Sequence, residues 1–339
     1  MTNGFPNERY QMAELLSAIR KAETILLFPH VSPDGDTLGS AMALQIMLEK
    51  MGKQVIPVLD GTVPSALSFL PGIQRVCSPQ ELAGQSDGKA PGTLAIAVDV
   101  SSESRFGEAE ALFQGAPLTA QLDHHETNPG YARINLIDGT ASATAILVAR
   151  LQKELSFPLE QAEAICLYTA LSTDTGNFAF KNTTAEAFSL MSRLMEADLP
   201  LAKYSRMLFK RKERAFVTLL GKTLSTLIFL HCGDIAGMQV TCQEMRSAGA
   251  ANEHTDGVVD YAIDTAGVKI AYFARETEEG DTKFSLRAQP PHRVDEVAVL
   301  FGGGGHQLAA GCTVPLPLTE AVEQVQGLLV QALEGSLEK

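Results

Sequence analysis

The stretch that decides the fold is TILLFPHVSPDGDTLGSAMALQIMLEKMG, residues 24–52. Its opening run, Thr24–Pro29, is almost continuously apolar, which is how a strand buried on both faces of a parallel sheet reads. The polar turn that follows carries His30, Asp34 and Asp36. From Thr37 to Met51 the residues favour a helix, and Gly52 stands where a C-cap glycine belongs. Strand, loaded turn and helix together predict one βα unit.

The same texture extends outward. Leu94–Val100 (LAIAVDV) and Leu118–Asp123 (LTAQLD) read as two more buried strands. Glu8–Lys21, Ser142–Glu154 and Leu159–Leu171 read as helices. Alternating strand and helix predicts an α/β fold, a doubly wound, mostly parallel sheet, over residues 1–195. Around Asp198–Arg214 apolar periodicity fades and Lys203, Arg206, Lys210, Arg211, Lys212 and Arg214 cluster. This segment, 196–215, reads as a partly helical linker, its charges more simply a solvated face than a docking strip for a phosphate chain. Residues 216–339 predict a smaller α+β domain. Its strands are expected at Ile235–Thr241, Val268–Ala274 and Lys283–Arg287, and a helix at Thr319–Leu333. Pro290-Pro291 and Phe301–Gly305 (FGGGG) mark loops.

Charge narrows the function. The chain has 339 residues, 27 Lys+Arg and 40 Asp+Glu, a net charge of −13. A protein that tracks long nucleic acid needs a wide basic face, and an acidic surface is repelled by anionic membranes. Neither argument excludes a small anionic substrate in a local pocket. The five cysteines are scattered with no C-x-x-C, so neither a disulfide framework nor a zinc ribbon is indicated, and a reducing, cytoplasmic setting is expected. Met1–Tyr10 lacks the apolar core of a signal peptide. The apolar run Leu224–Leu230 falls short of the about 20 residues a membrane span needs.

Chemistry gathers where the strands end. His30, Asp34 and Asp36 follow the first, Asp99 ends the second, and Asp123-His124-His125 ends the third. Asp174 follows a helical run. The carboxyl ends of strands in an open α/β sheet line one crevice, so these segments are expected to converge. Singly each has a plainer reading: Asp-Gly-Asp as a turn, Asp174 as a helix-end residue. Jointly, four carboxylates (Asp34, Asp36, Asp99, Asp174) with two imidazoles (His30, His124) would repel without a counter-charge. Two divalent ions sharing a carboxylate answer that. The mixed imidazole and carboxylate set points to Mn²⁺, with Mg²⁺, Co²⁺, Fe²⁺ or Zn²⁺ as alternatives. Such a pair activates water and steadies the leaving oxygen in phosphoryl transfer.

These motifs, read in order, resemble a known family. His-x-x-x-Asp-x-Asp-x-x-Gly-Ser (His30 to Ser40), Asp99 followed by Arg105, Asp123-His124-His125, and Asp174-Thr-Gly176 look like the four motifs of the DHH phosphoesterases. Phe284-Ser-Leu-Arg287 and the run from Gly302 to Gly311 resemble their C-terminal substrate-binding domain. The compact layout is most similar to the nanoRNase and pAp-phosphatase branch, where pAp is 3′-phosphoadenosine-5′-phosphate. The resemblance implies an active site in the cleft between domains. It implies His30, Asp34 and Asp99 around one ion, and Asp36, Asp99, His124 and Asp174 around the other. Asp99, His124, His125 and Asp123 would form the catalytic group, with Asp123 orienting a histidine and His125 facing the substrate. Arg105, Arg287, Gly303, Gly304, Gly305 and His306 would hold substrate, the glycines as an anion nest. Substrates would be RNAs of about two to five nucleotides, sized for a confined pocket, and pAp. A homodimer is compatible with this reading.

Two positions depart from the family pattern. Ala143-Thr144-Ala145-Ile146 lacks an acid usual there, and Ala288 replaces a serine; both bear on substrate preference. Linear or cyclic dinucleotides such as pApA and cyclic-di-AMP are the alternative substrates. A family II pyrophosphatase is disfavoured by the glycine run. A catalytically dead nucleotide-binding regulator would show a broken ligand set, and all six ligand positions are intact.

Overall fold

The computed structural model describes residues 8–83 and 90–337; Met1–Asn7 of the polar start lie outside them. Two compact units divide the chain at Arg211 and Lys212.

The first unit runs α1 (Glu8–Lys21), β1 (Thr24–Phe28), α2 (Gly35–Lys50), β2 (Gln54–Pro57), α3 (Pro79–Ala83), β3 (Thr93–Val98), α4 (Glu110–Gln114), β4 (Leu118–Asp123), β5 (Ile134–Ile137), α5 (Thr144–Leu155), α6 (Gln161–Asp174), α7 (Ala185–Glu196) and α8 (Leu201–Ser205). The strands form one sheet in the order β2-β1-β3-β4-β5, parallel throughout. Every residue of β3 is buried, which explains a strand with no polar alternation. Chain order reverses between β1 and β3, so a crevice opens beyond their carboxyl ends.

Helix α2 buries thirteen of its sixteen residues, so it shows little of the one-sided stripe of a surface helix. Asp34 caps it, its carboxylate accepting from the backbone N–H of Asp36 and Thr37. That cap starts the helix at Gly35 rather than Thr37. Helix α6 lies against α2 in the opposite direction. Gly35 touches Thr173 at one end, and Lys50 pairs with Glu160 and Glu163 at the other. Gly39 is what allows the close approach: a Cβ there would stand 2.6 Å from the Cys166 carbonyl oxygen.

Several elements differ from the sequence expectation for local reasons. β3 stops at Val98 because Asp99 turns to a left-handed φ of 62°. The four-residue strands β2 and β5 are too short to announce themselves. Helix α7, capped by Thr184, has no counterpart among the helices expected from sequence. Within 196–215 the chain forms α8 and one wide helical turn at Arg206–Lys210.

The second unit runs α9 (Arg214–Leu224), β6 (Ile228–Leu230), β7 (Ile235–Val240), α10 (Cys242–Ser247), α11 (Asp260–Ile263), β8 (Ile270–Glu276), β9 (Thr282–Ala288), α12 (Asp295–Val299), β10 (Gly304–His306), β11 (Ala309–Val314) and α13 (Leu318–Glu334). Its mixed sheet has the order β10-β11-β9-β8-β7-β6, with only β7 and β8 parallel. Tyr272, Phe284 and Leu286 pack with Val325 and Leu329 of α13. Ala271 and Phe273 point the other way, onto Leu219 of α9 and Ala262 of α11. That alternation is the period-two signature of strands covered on both faces. The glycine run is a correction: Gly304–His306 is not loop but strand, paired to Ala309–Gly311. Backbone pairing along an edge suits residues without side chains. Among the described residues no helix is long and apolar enough to cross a membrane.

Candidate metal centre

Beyond β1, β3 and β4 the acidic and imidazole side chains meet within the first unit. His30, just past β1, has Nδ1 2.7 Å from the Val31 carbonyl oxygen. That bond puts the proton on Nδ1 and leaves a lone pair on Nε2. Nε2 is buried with no hydrogen-bond partner. It stands 3.6 Å from Asp34 Oδ2 and 3.8 Å from Asp99 Oδ2, too far for hydrogen bonds. His124, just past β4, repeats the pattern. Its Nδ1 donates to the Ala141 carbonyl, and Nε2 lies 3.7 Å from one oxygen each of Asp36, Asp99 and Asp174.

Asp99 occupies the middle. Its Oδ2 faces His30 and its Oδ1 faces His124. Asp36 is fixed at the start of α5, where its carboxylate accepts from Thr144 N at 2.7 Å, Ala145 N at 3.2 Å and Ser40 Oγ at 2.9 Å. A carboxylate at a helix N-terminus also gains from the helix dipole. Asp174 ends α6, and Asn182 Nδ2 donates to its Oδ2 at 3.2 Å. Thr144 Oγ1 donates to Asp99 Oδ1 at 2.9 Å.

The electrostatics are those of crowded acids. Burial, then the charges of Asp99 and Asp174, hold the Asp36 carboxyl well above its ordinary range. Burial and the neighbouring carboxylates push Asp99 up to about 6. Burial also raises Asp174. Asp34, at the solvent side, goes the other way: burial opposes it, but the His30 imidazole facing it and the backbone amides of Thr37 and Asp36 outweigh that and lower it. Such a set is unstable as bare anions and is relieved by cations.

The donor set therefore fits divalent metal. Nitrogen and carboxylate atoms of His30, Asp34 and Asp99 lie within 4.8 Å of one another, as do those of Asp36, His124 and Asp174, and of Asp99, His124 and His125. The orphaned His30 Nε2 presents an unpartnered lone pair to two carboxylates, an arrangement that calls for a cation between them. The distal nitrogens of both histidines are held by backbone carbonyls, the outer bond that orients metal-binding imidazoles.

His125 differs. Its Nδ1 bonds Asp123 Oδ1 at 2.7 Å, and Asn128 Nδ2 donates to the other oxygen of Asp123. The bond to Asp123, outweighing burial, raises the pKa of His125. The orientation expected of Asp123 thus falls on His125 and not on a member of the six-residue set. Arg105 Nη2 stands 3.0 Å from His30 Nδ1, but that nitrogen gives its proton to the Val31 carbonyl and has no lone pair there to accept, so Arg105 lies against the ring as a cation and not as its hydrogen-bond donor. Arg287 and the glycine run belong to the second unit. There Arg287 and His306 both pair with Ala309 across β11, so they share a sheet face about 10 Å apart, two strand spacings. Arg287 is not a bare cation: its Nε donates to Asp260 Oδ1 at 3.2 Å. The N–H groups of Gly302 and Gly303 are already used, on the carbonyls of Val299 and Ala298, which leaves less of a nest than four glycines suggest.

Sequence reasoning passed over Thr144, Asn128 and Asn182 as supports. Ser40, four residues beyond Asp36 on one helix, had a readable signal; the other three are defined only by tertiary hydrogen bonds.

Comparison with known proteins agrees with this geometry. Residues 24–171 match the DHH family, N-terminal domain, and residues 237–336 match the DHHA1 domain. The chain is 33% identical over 336 residues to the bifunctional oligoribonuclease and PAP phosphatase NrnA of Thermus thermophilus, covering 96% of both chains. It is 24% identical over 304 residues to the protein of that name from Bacillus subtilis, covering 89% of this chain and 92% of that one. Among solved structures, an exopolyphosphatase-related protein from Bacteroides fragilis superposes with a TM-score of 0.81 at 24% identity, over 99% of this chain and 98% of that one; at that identity the likeness speaks for the fold.

Proposed function

The chain belongs to the DHH family, and from that premise we propose that it is a two-metal phosphoesterase of very short RNA and of pAp. The substrates are oligoribonucleotides of about two to five residues, a size suited to a confined pocket, cleaved to mononucleotides, with pAp dephosphorylated to AMP. The observation that carries the reading is Asp99, whose two oxygens face two separate histidine–carboxylate groups. The substrate class is supported by similarity, over nearly the whole chain, to proteins named oligoribonuclease and PAP phosphatase.

In this reading His30, Asp34 and Asp99 hold one ion, and Asp36, Asp99, His124 and Asp174 the other, with Mn²⁺ the best match to the ligands. Bound there, the pair would supply Lewis acidity and an activated water. The rest is the work of side chains. Asp123 fixes the ring of His125 and favours its protonated form, leaving Nε2 to give a proton to the departing ribose oxygen. Thr144 and the α5 N-terminus keep Asp99 and Asp36 aimed. On the second unit, Arg287 and His306 recognise substrate phosphate, with the side-chain-free run Gly303–Gly305 allowing its close approach, and Arg105 places a cation beside the His30 ring.

The test offers the purified chain, with Mn²⁺, pApA, pGpG, cyclic-di-AMP, pAp and a five-nucleotide RNA alongside a long RNA. Fast turnover of the short RNAs and pAp, abolished by chelator and by His124→Ala, is expected. Equal turnover of the long RNA, or hydrolysis indifferent to His124→Ala, would refute it.

A further inference from the structure

One exposed aromatic lies on the turn that follows Asp174 and packs only on that turn's own backbone at Gly176. Phe180 is 61% exposed and, among the described residues, stacks on no ring and meets no cation. The other exposed phenylalanine nearby, Phe188, is accounted for: it stacks on Phe178 with centroids 5.4 Å apart.

The chain around Phe180 is fixed at both ends to the Asp174 segment. Gly176, Asn177 and Phe178 all take left-handed backbone, φ 55°, 55° and 67°, a run that only Gly enters freely. The Phe180 ring is seated over Gly176, where a Cβ would stand 2.5 Å from it. Phe180 N and Ala179 N both bond the Thr175 carbonyl, at 3.0 Å each. Two residues later Asn182 reaches back to Asp174 Oδ2 and to the Asp174 backbone carbonyl. The ring is therefore held on a pinned turn whose two ends both meet a proposed metal ligand. The ring packs over Gly176, and the rest of it stays in water without a packing return. A ring held on the turn anchored to Asp174 gains one when a flat base covers it.

We propose that Phe180 is a stacking platform for a nucleobase of the substrate, setting the preference for nucleotides over simple phosphoesters. This rests on the functional reading above and goes beyond it, because nothing in metal-dependent ester cleavage requires a base. Stacking of a base on an aromatic ring is sequence-tolerant, so the platform would accept purines and pyrimidines alike.

Two measurements on the full, metal-loaded chain test it. In the first, pApA is compared with the matching diester that lacks the base on each ribose. Phe180→Ala and Phe180→Leu should lower the kcat/KM preference for pApA by about tenfold, mainly through KM, and Phe180→Trp should restore it. In the second, Phe180→Trp supplies the chain's only tryptophan, since the sequence contains none. With Mg²⁺ bound, its fluorescence should be quenched saturably by AMP and not by ribose 5-phosphate. Phe229→Trp, at an exposed position of the second unit, should not respond. An unsubstituted chain that cleaves no dinucleotide would overturn the functional reading itself. An active chain whose Phe180→Ala variant keeps its full preference, or whose Phe180→Trp variant gives a fluorescence signal that ignores AMP, would overturn the platform alone.

Discussion

Replacing Gly39 with alanine should destabilise the first unit, although glycine to alanine inside a helix ordinarily does the opposite. The intrinsic preference favours alanine by about 1 kcal/mol. Against it stands the wall of α6: the new Cβ would lie 2.6 Å from the Cys166 carbonyl oxygen and 2.9 Å from Ala170 N and Cβ. Backbone cannot swing aside as a side-chain tip can, so the two helices must separate. Overpacking of this kind costs about 1–3 kcal/mol. The balance is a net loss of about 1 kcal/mol, or about 2–4 °C in the midpoint of a unit this size. Gly327→Ala in α13 is the matched control. No atom lies within 4 Å of its Cβ position, so only the propensity gain operates and the second unit's transition should rise. Scanning calorimetry of both variants and the unsubstituted chain reads the two signs directly. Because α2 carries Asp36 and α6 carries Asp174, Gly39→Ala should also weaken Mn²⁺ binding by calorimetric titration. If Gly39→Ala stabilises as much as Gly327→Ala, the close-approach reasoning is wrong.

Other perturbations probe the centre itself. Asp99 is held up to about 6, against an ordinary value of 3.8. A carboxyl whose folded pKa is raised stabilises the metal-free fold below the unfolded value and loses that contribution as pH climbs through 6, on the order of 3 kcal/mol in all. Metal binding needs the ionised form, so the gap in thermal midpoint between Mn²⁺-loaded and chelator-treated protein should widen from pH 5 to pH 8; a constant gap would contradict the crowded-acid account. Thr144→Val removes only the hydroxyl that bonds Asp99 Oδ1 and should weaken Mn²⁺ affinity about 10–100-fold, measured by titration. His125→Gln should leave Mn²⁺ affinity within a few-fold while lowering kcat by about 10²–10⁴, with greater loss on substrates whose leaving group needs a proton.

Much of the first unit was legible because its strands are buried on both faces and each stops where a metal-type residue begins. Thr24–Phe28 and the core of β3 stand as apolar blocks, β4 keeps its expected bounds, and His30, Asp99 and His124 lie within two residues of the strand ends. The parallel sheet then carries those blocks to one edge, so the convergence followed from topology. What stayed hidden is tertiary. Nothing in the sequence around Thr144 says that its backbone N–H meets a carboxylate 108 residues earlier. The aromatic on the turn after Asp174 is one phenylalanine among fifteen until exposure singles it out. In the second unit the glycine run misled because glycine serves equally in a turn and in a tightly paired edge strand, and composition alone does not choose between them.

The left-handed seat of Asp99 bears on how this centre tolerates change. Most residues resist a φ of 62°, while asparagine and glycine accept it readily. An alanine at this position therefore disturbs the main chain along with the charge, and a loss of activity could belong to either. Asparagine keeps the turn and the shape and removes only the anion. It is the substitution that isolates the ligand's chemistry. By the same token it is the single step by which a descendant of this chain could discard metal-dependent cleavage and keep its fold.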